Sequence, residues 1–579
     1  MHLRRLVLVL GLSFAGAVHA DALDDVIEAE MKKRQIPGLS IAVIDGGKIV
    51  RAKGYGVTEK GGKAPVTPST LFQAGSISKP VAALGALRLV MQGSLALDDD
   101  VNQKLVSWKV PQNAFNAGAK VTLRKLLNHS AGLTVHGFPG YAVDAKMPSV
   151  VQILNGAAPA NTGPVVNDIA PGSKWRYSGG GYTVVQQLMV DVTGKPFAEY
   201  MQKAVLAPLG MHDSSYQQPP APARAALAAS GHYGDRSPVK GRWHIYPEMA
   251  AAGLWTNPSD LARFAVGIQN ALAGTADPAF SQTMTREMLT DQMGSVGLGL
   301  FLKGSGATRQ FFHNGRDEGF DALMSAYAET GQGVVIMINA NDNSRMSERL
   351  TAAVARHYNW PEAAPAAVAA PVEVKVDAAT LARYTGRYEI ANNVMLALDS
   401  DQGRLVTMVD GIPDDHFISV GKASFSSTSS KRESTFELDE HGVVTGLVWK
   451  NNGKERKAPR IGPLMQPSPA RVDTDPARTG KVKEFVDAAG KGGAQLARLK
   501  GITDGKRASM GGQAASELGE VKALAFMAEH SVAGRAIERH GSKIDKVLYY
   551  KLDNPGGAPY LMVFLSADGA IADHDVVTN

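Results

Sequence analysis

A serine and a lysine three residues apart could act as a nucleophile and its base. Ser76 and Lys79, within the stretch SISK, would lie on one face of a helix. A serine hydroxyl attacks a carbonyl readily only when a neighbouring group takes its proton, and a desolvated lysine can do this. The same spacing recurs at Ser237–Lys240 and Ser419–Lys422, so spacing alone does not select the site.

The surroundings of the three serines separate them. Ser76 follows a strand-like segment and Gly75, and an apolar run with helical spacing, Val81–Gln92, comes after it. A serine there can simply cap the helix, but its hydroxyl also lies where free N–H groups stabilise developing negative charge. Ser237 precedes a proline in a polar loop and Ser419 lies in a β-rich region, so we predict that both are surface residues.

The elements around Ser76 predict one large α+β domain over residues 21–360. A strand-like run ends at Ile44, and Asp45-Gly46-Gly47 is typical of a hairpin turn into a second strand over Lys48–Gly54. Further helices are predicted at Val121–Leu127, Tyr182–Val192, Ser259–Leu272 and Ser344–Tyr358, with a buried strand at Gly333–Asn341.

The rest of the chain predicts two smaller domains. A Pro/Ala-rich linker at 361–375 precedes a β-rich, barrel-like domain at 376–465. A second linker at 466–479 leads to a small α+β domain at 480–579. In that domain Gly480–Arg539 is predicted to be mostly helical, Arg539 and His540 to lie on a solvated turn, and strands to cover Val547–Leu552, Tyr560–Ser566 and a final stretch near Asp573–Val577.

Residues 1–20 have the pattern of a signal peptide. Arg4 and Arg5 precede an apolar stretch, Leu6–Leu12, and small residues prepare a cleavage site before Asp21. The stretch is shorter than the roughly 20 apolar residues that a membrane span requires. We therefore expect export after cleavage, to the periplasm or the medium, with no stable membrane insertion.

Composition excludes several classes of function. The net charge of +6 is spread along the chain rather than clustered, which predicts no nucleic-acid partner. There is no cysteine, hence no disulfide, thiol nucleophile or thiolate metal site. Three histidines also lack metal-ligand spacing, so no metal is predicted: His136, His212 and His244.

Five motifs in order resemble one known family. They are LFQAGSISK (71–79), TLRKLLNHSAGL (122–133), WRYSGGGY (175–182), GLWTNPSDLARF (253–264) and HNG (313–315). Together they resemble the serine β-lactamase/penicillin-binding-protein-like hydrolases, in the branch with class C β-lactamases, D-aminopeptidases and esterases. The resemblance covers about 23–358 and implies a β-lactamase/transpeptidase-like fold, with an antiparallel sheet, helices and an all-helical region.

The resemblance implies a role for each matching residue. Ser76 is the nucleophile, Lys79 its helix partner, and Tyr177 exchanges protons with the nucleophile and leaving group. The backbone N–H groups of Ser76 and Arg316 form the oxyanion hole, and His313–Gly315 lies on the strand that lines the site. Either Lys79 or Tyr177 could be the acylation base. No metal or organic cofactor is implied.

Two departures from the family pattern bear on the substrate. Gly179 stands where the tyrosine motif usually has an asparagine that holds the substrate amide. His313 stands where β-lactamases prefer a lysine, and a neutral imidazole attracts a carboxylate less strongly at pH 7. Both changes favour peptides, D-amino-acid amides or esters over penicillins.

Other conspicuous residues have simpler interpretations. We interpret His129 and Ser130 as part of a structural helix–turn element in which Gly132 ends the helix. Trp255 is predicted to pack in the core and Asp260 to cap a helix.

These observations predict an exported serine hydrolase that cleaves an amide or ester through a Ser76 acyl-enzyme, with peptidase, D-aminopeptidase-like or esterase activity. Its substrate would be a small molecule or peptide, a class that includes cell-wall-derived fragments. The alternatives are a non-catalytic or acylated-only penicillin-binding sensor and a weak class C-type β-lactamase. The sequence contains no signal for L or D preference, oligomeric state or the role of the two C-terminal domains.

Overall fold

The computed structural model describes residues 21–361, 372–391, 394–428, 430–451, 453–464, 471–491, 498–509, 521, 523–535, 537–553 and 560–577. The predicted signal peptide, most of the first predicted linker and part of the second lie outside these residues. The boundaries of the three predicted domains stay predictions.

A six-stranded antiparallel sheet forms the centre of the first domain, with strand order β2-β1-β10-β9-β8-β7. Its strands are β1 (Gly38–Asp45), β2 (Lys48–Gly56), β7 (Phe301–Lys303), β8 (Gln310–Asp317), β9 (Phe320–Tyr327) and β10 (Gly333–Ile338). Gly46 and Gly47 form the turn between β1 and β2 with φ of +54° and +72°, a conformation that glycine adopts without strain. The predicted hairpin is therefore confirmed.

Short paired strands and helices complete this domain. The strands are β3 (Phe72–Gln73) with β6 (Trp255–Thr256), and β4 (Tyr141–Ala142) with β5 (His244–Ile245). The helices are α1 (Ala22–Arg34), α2 (Ser78–Met91), α3 (Leu123–Leu127), α4 (Val150–Asn155), α5 (Gly179–Thr193), α6 (Phe197–Met201), α7 (Pro222–Ala225), α8 (Met249–Ala252), α9 (Pro258–Leu272), α10 (Gln282–Met288) and α11 (Met346–His357).

Helices cover both faces of the sheet. Successive side chains of a strand point to opposite faces, so Ile41 and Val43 of β1 pack with α1 and α11, whereas Ala42 and Ile44 belong to the core beneath α2, α5 and α9. A sheet covered on both faces must be apolar on both, which explains the nearly continuous apolar sequence of β1 and β10.

The second domain is a closed antiparallel barrel of eight strands. They are β11 (Gly386–Ala391), β12 (Val394–Asp401), β13 (Arg404–Val409), β14 (Ile412–Ser419), β15 (Ser424–Ser427), β16 (Arg432–Leu438), β17 (Val444–Asn451) and β18 (Lys454–Gly462). The helix α12 (Ala378–Tyr384) contributes Leu381 and Tyr384 to the barrel core. Closure leaves no unpaired sheet edge, which limits edge-to-edge aggregation.

The third domain is a four-stranded sheet with helices packed on one face. Its sheet order is β19-β22-β23-β24. The elements are α13 (Pro476–Lys491), α14 (Asp504–Ser509), β19 (Ala523–Ser531), β20 (Glu538–Arg539), β21 (Ser542–Lys543), β22 (Lys546–Asp553), β23 (Tyr560–Leu565) and β24 (Ile571–Val577). The other face of the sheet packs Val547 and Tyr549 against Ile461, at the end of the barrel. The predicted α+β fold class is confirmed.

Four local predictions are wrong. Among the described residues of Gly480–Arg539, helix is confined to α13 and α14 and makes up less than half, because β19 is a strand that pairs with β22 along its whole length. Arg539 is buried rather than solvated, since Glu389 of the barrel lies 2.5 Å from its guanidinium. Ser419 is also buried, with its hydroxyl donating to the carbonyl of Gly421. Asp260 does not cap α9; Asn257 does, by accepting from the backbone N–H of Asp260.

Across the described part of the chain, no helix combines the length and apolar character needed to cross a membrane.

Candidate active site

Ser76 lies in a tight turn between β3 and α2. The turn is a 3-10 helix, Gly75–Ile77, that runs directly into α2. Gly75 has φ of +51°, and a Cβ built on it would lie 2.4 Å from the backbone nitrogen of Arg316. On the facing strand β8, a Cβ on Gly315 would lie 1.8 Å from the carbonyl oxygen of Ala74. The turn Gly75–Ile77, called the nucleophile turn below, and strand β8 can therefore lie this close only because Gly75 and Gly315 have no side chain.

Lys79 is buried beside the nucleophile. Its side chain is 2% exposed, and Nζ donates to Ser76 Oγ at 3.0 Å and to the carbonyl of Ala251 at 2.8 Å. The 3-10 turn that carries Ser76 runs directly into α2, which carries Lys79, and positions three apart in such a continuous helical segment share a face. The carbonyl of Ala251, in the short helix α8, is the second acceptor that holds the amine in place.

Tyr177 packs against the same amine with the face of its ring. Lys79 Nζ lies 5.0 Å from the ring centroid, a distance at which a cation is attracted to an aromatic face. Tyr177 directly precedes the cap of α5, where the hydroxyl of Ser178 accepts from the backbone N–H of Gly181. The structure thus brings together the three residues predicted to be catalytic.

The imidazole of His129 packs against the ring of Tyr177, a contact that the sequence analysis did not predict. Its ring centroid is 4.2 Å from that of Tyr177, and Nδ1 accepts from the backbone N–H of Ser178 at 3.2 Å. Burial and the nearby charge of Lys79 hold the pKa of His129 well below its usual range, so the ring is neutral. The structural interpretation of this segment holds, but α3 ends at Leu127 and Gly132 does not end it.

His313 of β8 is a buried, neutral imidazole. Burial, with a smaller effect from the charge of Lys79, lowers the pKa of His313 to about 3. Nδ1 lies 2.6 Å from the carbonyl oxygen of Asn314, which assigns the proton to Nδ1. Within the described residues Nε2 is buried without a hydrogen-bond partner and is left as an acceptor. The position thus offers a hydrogen-bond acceptor rather than a cation.

Gly179 opens α5, and other atoms fill the space beside it. A Cβ built there would lie 3.0 Å from the carbonyl oxygen of His136 and 3.0 Å from the ring of Phe138. The backbone N–H of Gly179 donates to that same carbonyl. An asparagine at this position would require the 136–138 segment to shift by a few tenths of an ångström, so the glycine fits the packing of that segment.

Arg316 presents its backbone to the site and directs its side chain elsewhere. Its backbone nitrogen faces the turn Gly75–Ile77, because a Cβ added to Gly75 would lie only 2.4 Å from that nitrogen. The guanidinium makes two bonds to the carboxylate of Asp321, at 2.7 and 2.6 Å. The backbone nitrogen thus lies near the turn that carries Ser76, while the side chain pairs with β9.

Two buried carboxyl groups near the site carry no sequence signal. Burial raises the pKa of Glu248, which precedes α8, to about 8. Burial also raises the pKa of Asp317 well above its usual range, against the opposing charge of Lys79. Only the packing of α8 and β8 reveals that both side chains are enclosed. No group of three or more His, Cys, Asp or Glu side chains in the described ranges could hold a metal ion.

Comparison with known proteins identifies the family. The family model named Beta-lactamase matches residues 23–359, more than half of the chain. The chain belongs to the Beta-lactamase family. It is a serine hydrolase of the β-lactamase and penicillin-binding-protein type, as the motif resemblance implies.

Relatives of this Beta-lactamase family member include two curated bacterial proteins. Protein flp of Staphylococcus aureus is 23% identical over 344 residues, covering 58% of this chain and 67% of the relative. Penicillin-binding protein 4* of Bacillus subtilis is 22% identical over 460 residues, covering 75% of this chain and 97% of the relative. A similar solved structure is the octameric penicillin-binding protein homologue from Pyrococcus abyssi, with a TM-score of 0.51 and 20% identity, covering 75% and 99% of the two chains. That similarity shows the fold alone.

Proposed function

We propose that the protein is an exported serine hydrolase that cleaves an amide or ester bond through an acyl-enzyme on Ser76. The observation that carries this proposal is the 3.0 Å hydrogen bond between Ser76 Oγ and the buried amine of Lys79. A hydroxyl at the start of a helix, bonded to a desolvated amine, has both a proton acceptor and a positive helix end beside it.

The proposed reaction has two steps. In the first, Ser76 Oγ attacks the substrate carbonyl and its proton passes to the member of the Lys79–Tyr177 pair that is unprotonated, either the neutral amine or the phenolate. That group then protonates the departing amine or alcohol. The backbone N–H groups of Ser76 and Arg316 receive the oxyanion of each tetrahedral intermediate. In the second step the same group takes a proton from a water molecule, which attacks the ester carbon. It gives that proton to Ser76 Oγ as the acyl group leaves as a carboxylic acid.

Two features of the site support the proposed substrate class. His313 is neutral at pH 7, so no cation stands at this position to hold the carboxylate of a β-lactam. The carbonyl of His136 and the ring of Phe138 occupy the space in which an asparagine side chain at 179 would start. Short peptides, D-amino-acid amides and esters therefore fit the proposal better than penicillins.

A covalent probe tests the proposal directly. Mature protein and its Ser76→Ala variant are treated with a fluorophosphonate, and intact masses are compared. A single adduct on the wild type that is absent from Ser76→Ala is the expected result. Folded wild-type protein that forms no adduct would overturn the hydrolase proposal and favour a binding role.

Turnover distinguishes the enzyme from a sensor. D-amino-acid anilides and short-chain esters should be hydrolysed by the wild type and not by Ser76→Ala. Acylation without release of the acyl group would instead indicate an acylated-only sensor. Ser76-dependent hydrolysis of nitrocefin would indicate a β-lactamase.

Export is proposed from the first 20 residues alone. Protein recovered from the periplasm or medium of an expressing bacterium should have the intact mass of a chain that begins at Asp21. Uncleaved protein confined to the cytoplasm would contradict export while leaving the chemistry at Ser76 untouched.

A further inference from the structure

We propose that Asp410, in the barrel domain, is a positioning residue for the oxyanion hole of the first domain, acting through Asn343 on Arg316. The inference rests on the proposed function, in which the backbone N–H of Arg316 receives the oxyanion. The proposal gives the barrel an indirect role in catalysis, because the side chain of Asp410 helps to hold strand β8, which carries Arg316.

A chain of hydrogen bonds joins the two domains. Asp410 accepts from Asn343 twice, from the side-chain amide at 2.8 Å and from the backbone N–H at 3.2 Å. The side-chain oxygen of Asn343 then accepts from Arg316 Nη1 at 2.7 Å. Asn343 lies between β10 and α11, so it is the link between the barrel and strand β8.

The other donors of Arg316 are also bonded. The carboxylate of Asp321 in β9 accepts hydrogen bonds from Nε and Nη2, and the carbonyl of Asp342 accepts from Nη2 at 2.8 Å. Asp342 itself neighbours Asn343 on the chain. A guanidinium is a planar fork, so partners on three sides fix its orientation and restrain the backbone that carries it. That backbone nitrogen faces Gly75, one residue before the nucleophile.

The barrel presents Asp410 in a fixed position. Asp410 and Gly411 form the turn between β13 and β14, with φ of +53° and +72°, as a two-residue hairpin turn requires. The side chain of Asp410 is 2% exposed, and the buried guanidinium of Arg34 lies 3.8 Å from it. Arg34 also donates to the carbonyls of Val409 at 3.0 Å and Ile412 at 3.4 Å. The helix α1 therefore clamps this turn against the first domain.

A matched control exists on the same hairpin. Asp414, in β14, is 7% exposed and pairs with Arg349 of α11 at 3.2 Å. This ion pair also joins the barrel to the first domain, but neither of its members bonds directly to Asn343 or Arg316. Asp414→Asn therefore removes a similar buried interdomain charge without breaking the chain to the oxyanion hole.

The experiment measures acylation of the full-length protein by the fluorophosphonate, with saturation kinetics that separate the maximal rate from the half-saturating concentration. Because Asp410→Asn weakens the support of one oxyanion donor without deleting that donor, we expect a maximal rate about 5- to 20-fold lower, with half-saturation changed less than about 2-fold. Asp414→Asn should keep the wild-type rate to within about 2-fold. Melting temperatures establish that each variant is folded at the assay temperature.

Asn343→Ala provides a second route, because it breaks the same chain without changing a buried charge. It should slow acylation as Asp410→Asn does, and the double variant should be no slower than the slower single variant, as residues acting through one chain are not additive. In an Arg316→Ala background, Asp410→Asn should have no further effect.

Equal rates for Asp410→Asn and Asp414→Asn, or strictly multiplicative effects of Asp410→Asn and Asn343→Ala, would overturn the inference. A wild-type protein that forms no Ser76 adduct would instead overturn the proposed function, so the two failures are distinguishable.

Discussion

Replacing Gly315 by alanine should separate the strand β8 from the nucleophile turn. The added Cβ would lie 1.8 Å from the carbonyl oxygen of Ala74, and real Cβ atoms essentially never approach closer than 3.0 Å. The two segments must therefore move apart by about 1 Å, and a displacement of that size at a catalytic site costs on the order of 100-fold in rate. That loss corresponds to about 2.7 kcal/mol of transition-state stabilisation.

Acylation of Ser76 by a fluorophosphonate measures this effect without knowledge of the natural substrate. The expected result for Gly315→Ala is a second-order rate about 100-fold below wild type, in a protein that circular dichroism shows to be folded. Gly118→Ala is the matched control, because a Cβ at Gly118 would meet no atom within 4 Å and the residue does not have a positive φ. It should react at the wild-type rate.

The opposite side of the same contact offers an independent test. A Cβ on Gly75 would lie 2.4 Å from the backbone nitrogen of Arg316, and its φ of +51° adds strain for alanine. Gly75→Ala should therefore slow acylation as well. If either variant is folded and reacts within about 3-fold of wild type, close approach of these two segments does not position the oxyanion hole, and the reasoning is refuted.

Four further predictions concern buried groups of the site. Lys79→Met should retain the fold but slow acylation by at least about 100-fold, since the proton acceptor is lost; near-wild-type labelling would exclude Lys79 from proton transfer. The pKa of Glu248 is raised from 4.5 to about 8, so the native state holds a proton that the unfolded state loses and stability falls as pH rises. In urea unfolding, the free energy of unfolding of Glu248→Gln minus that of wild type should therefore increase by up to about 4 kcal/mol as the pH is raised from 5 to 8. A difference that does not change with pH would contradict this. The pKa of His313 is lowered from 6.5 to about 3, so the unfolded state binds the proton first and stability falls on acidification. Between pH 6.5 and pH 4.5 wild type should lose up to about 3 kcal/mol of unfolding free energy through His313, and His313→Gln should not show this loss. If urea unfolding shows the same decrease at acidic pH in both proteins, the assignment is contradicted. Gly179→Asn should lower the free energy of unfolding by about 1–3 kcal/mol, because the added side chain overpacks against Phe138, and it should not confer hydrolysis of nitrocefin. A stable variant that hydrolyses nitrocefin would show that the space beside residue 179 is open.

Local patterns in the sequence account for much of the first domain. A strand-like apolar run and an Asp-Gly-Gly turn predict the β1–β2 hairpin, and helical spacing followed by Gly93 predicts α2, which ends at Met91. These signals depend on neighbours a few residues away, so they can be read without knowing what the element packs against. The order of five motifs adds the family and, with it, the candidates Ser76, Lys79 and Tyr177.

The same local patterns fail where distant segments decide the outcome. Arg539 comes directly before the turn at His540 and resembles a solvated residue, yet Glu389 of another domain covers it. The strand β19 lies in a stretch that resembles helix, and its pairing with β22 overrides that local preference. Propensity is worth a few tenths of a kcal/mol per residue, so tertiary contacts regularly outweigh it.

The sequence by itself therefore determined which residues can do chemistry: a serine and a lysine one helical turn apart, and a tyrosine ahead of three glycines. The tertiary structure decided what surrounds them. The turn at Gly75 contacts β8, and Asn343 donates a hydrogen bond to Asp410, although these residues are far apart in the chain. The burial that keeps His313 and Glu248 neutral likewise depends on distant segments. Desolvation and close packing arise only when such segments meet, so no local pattern could specify them.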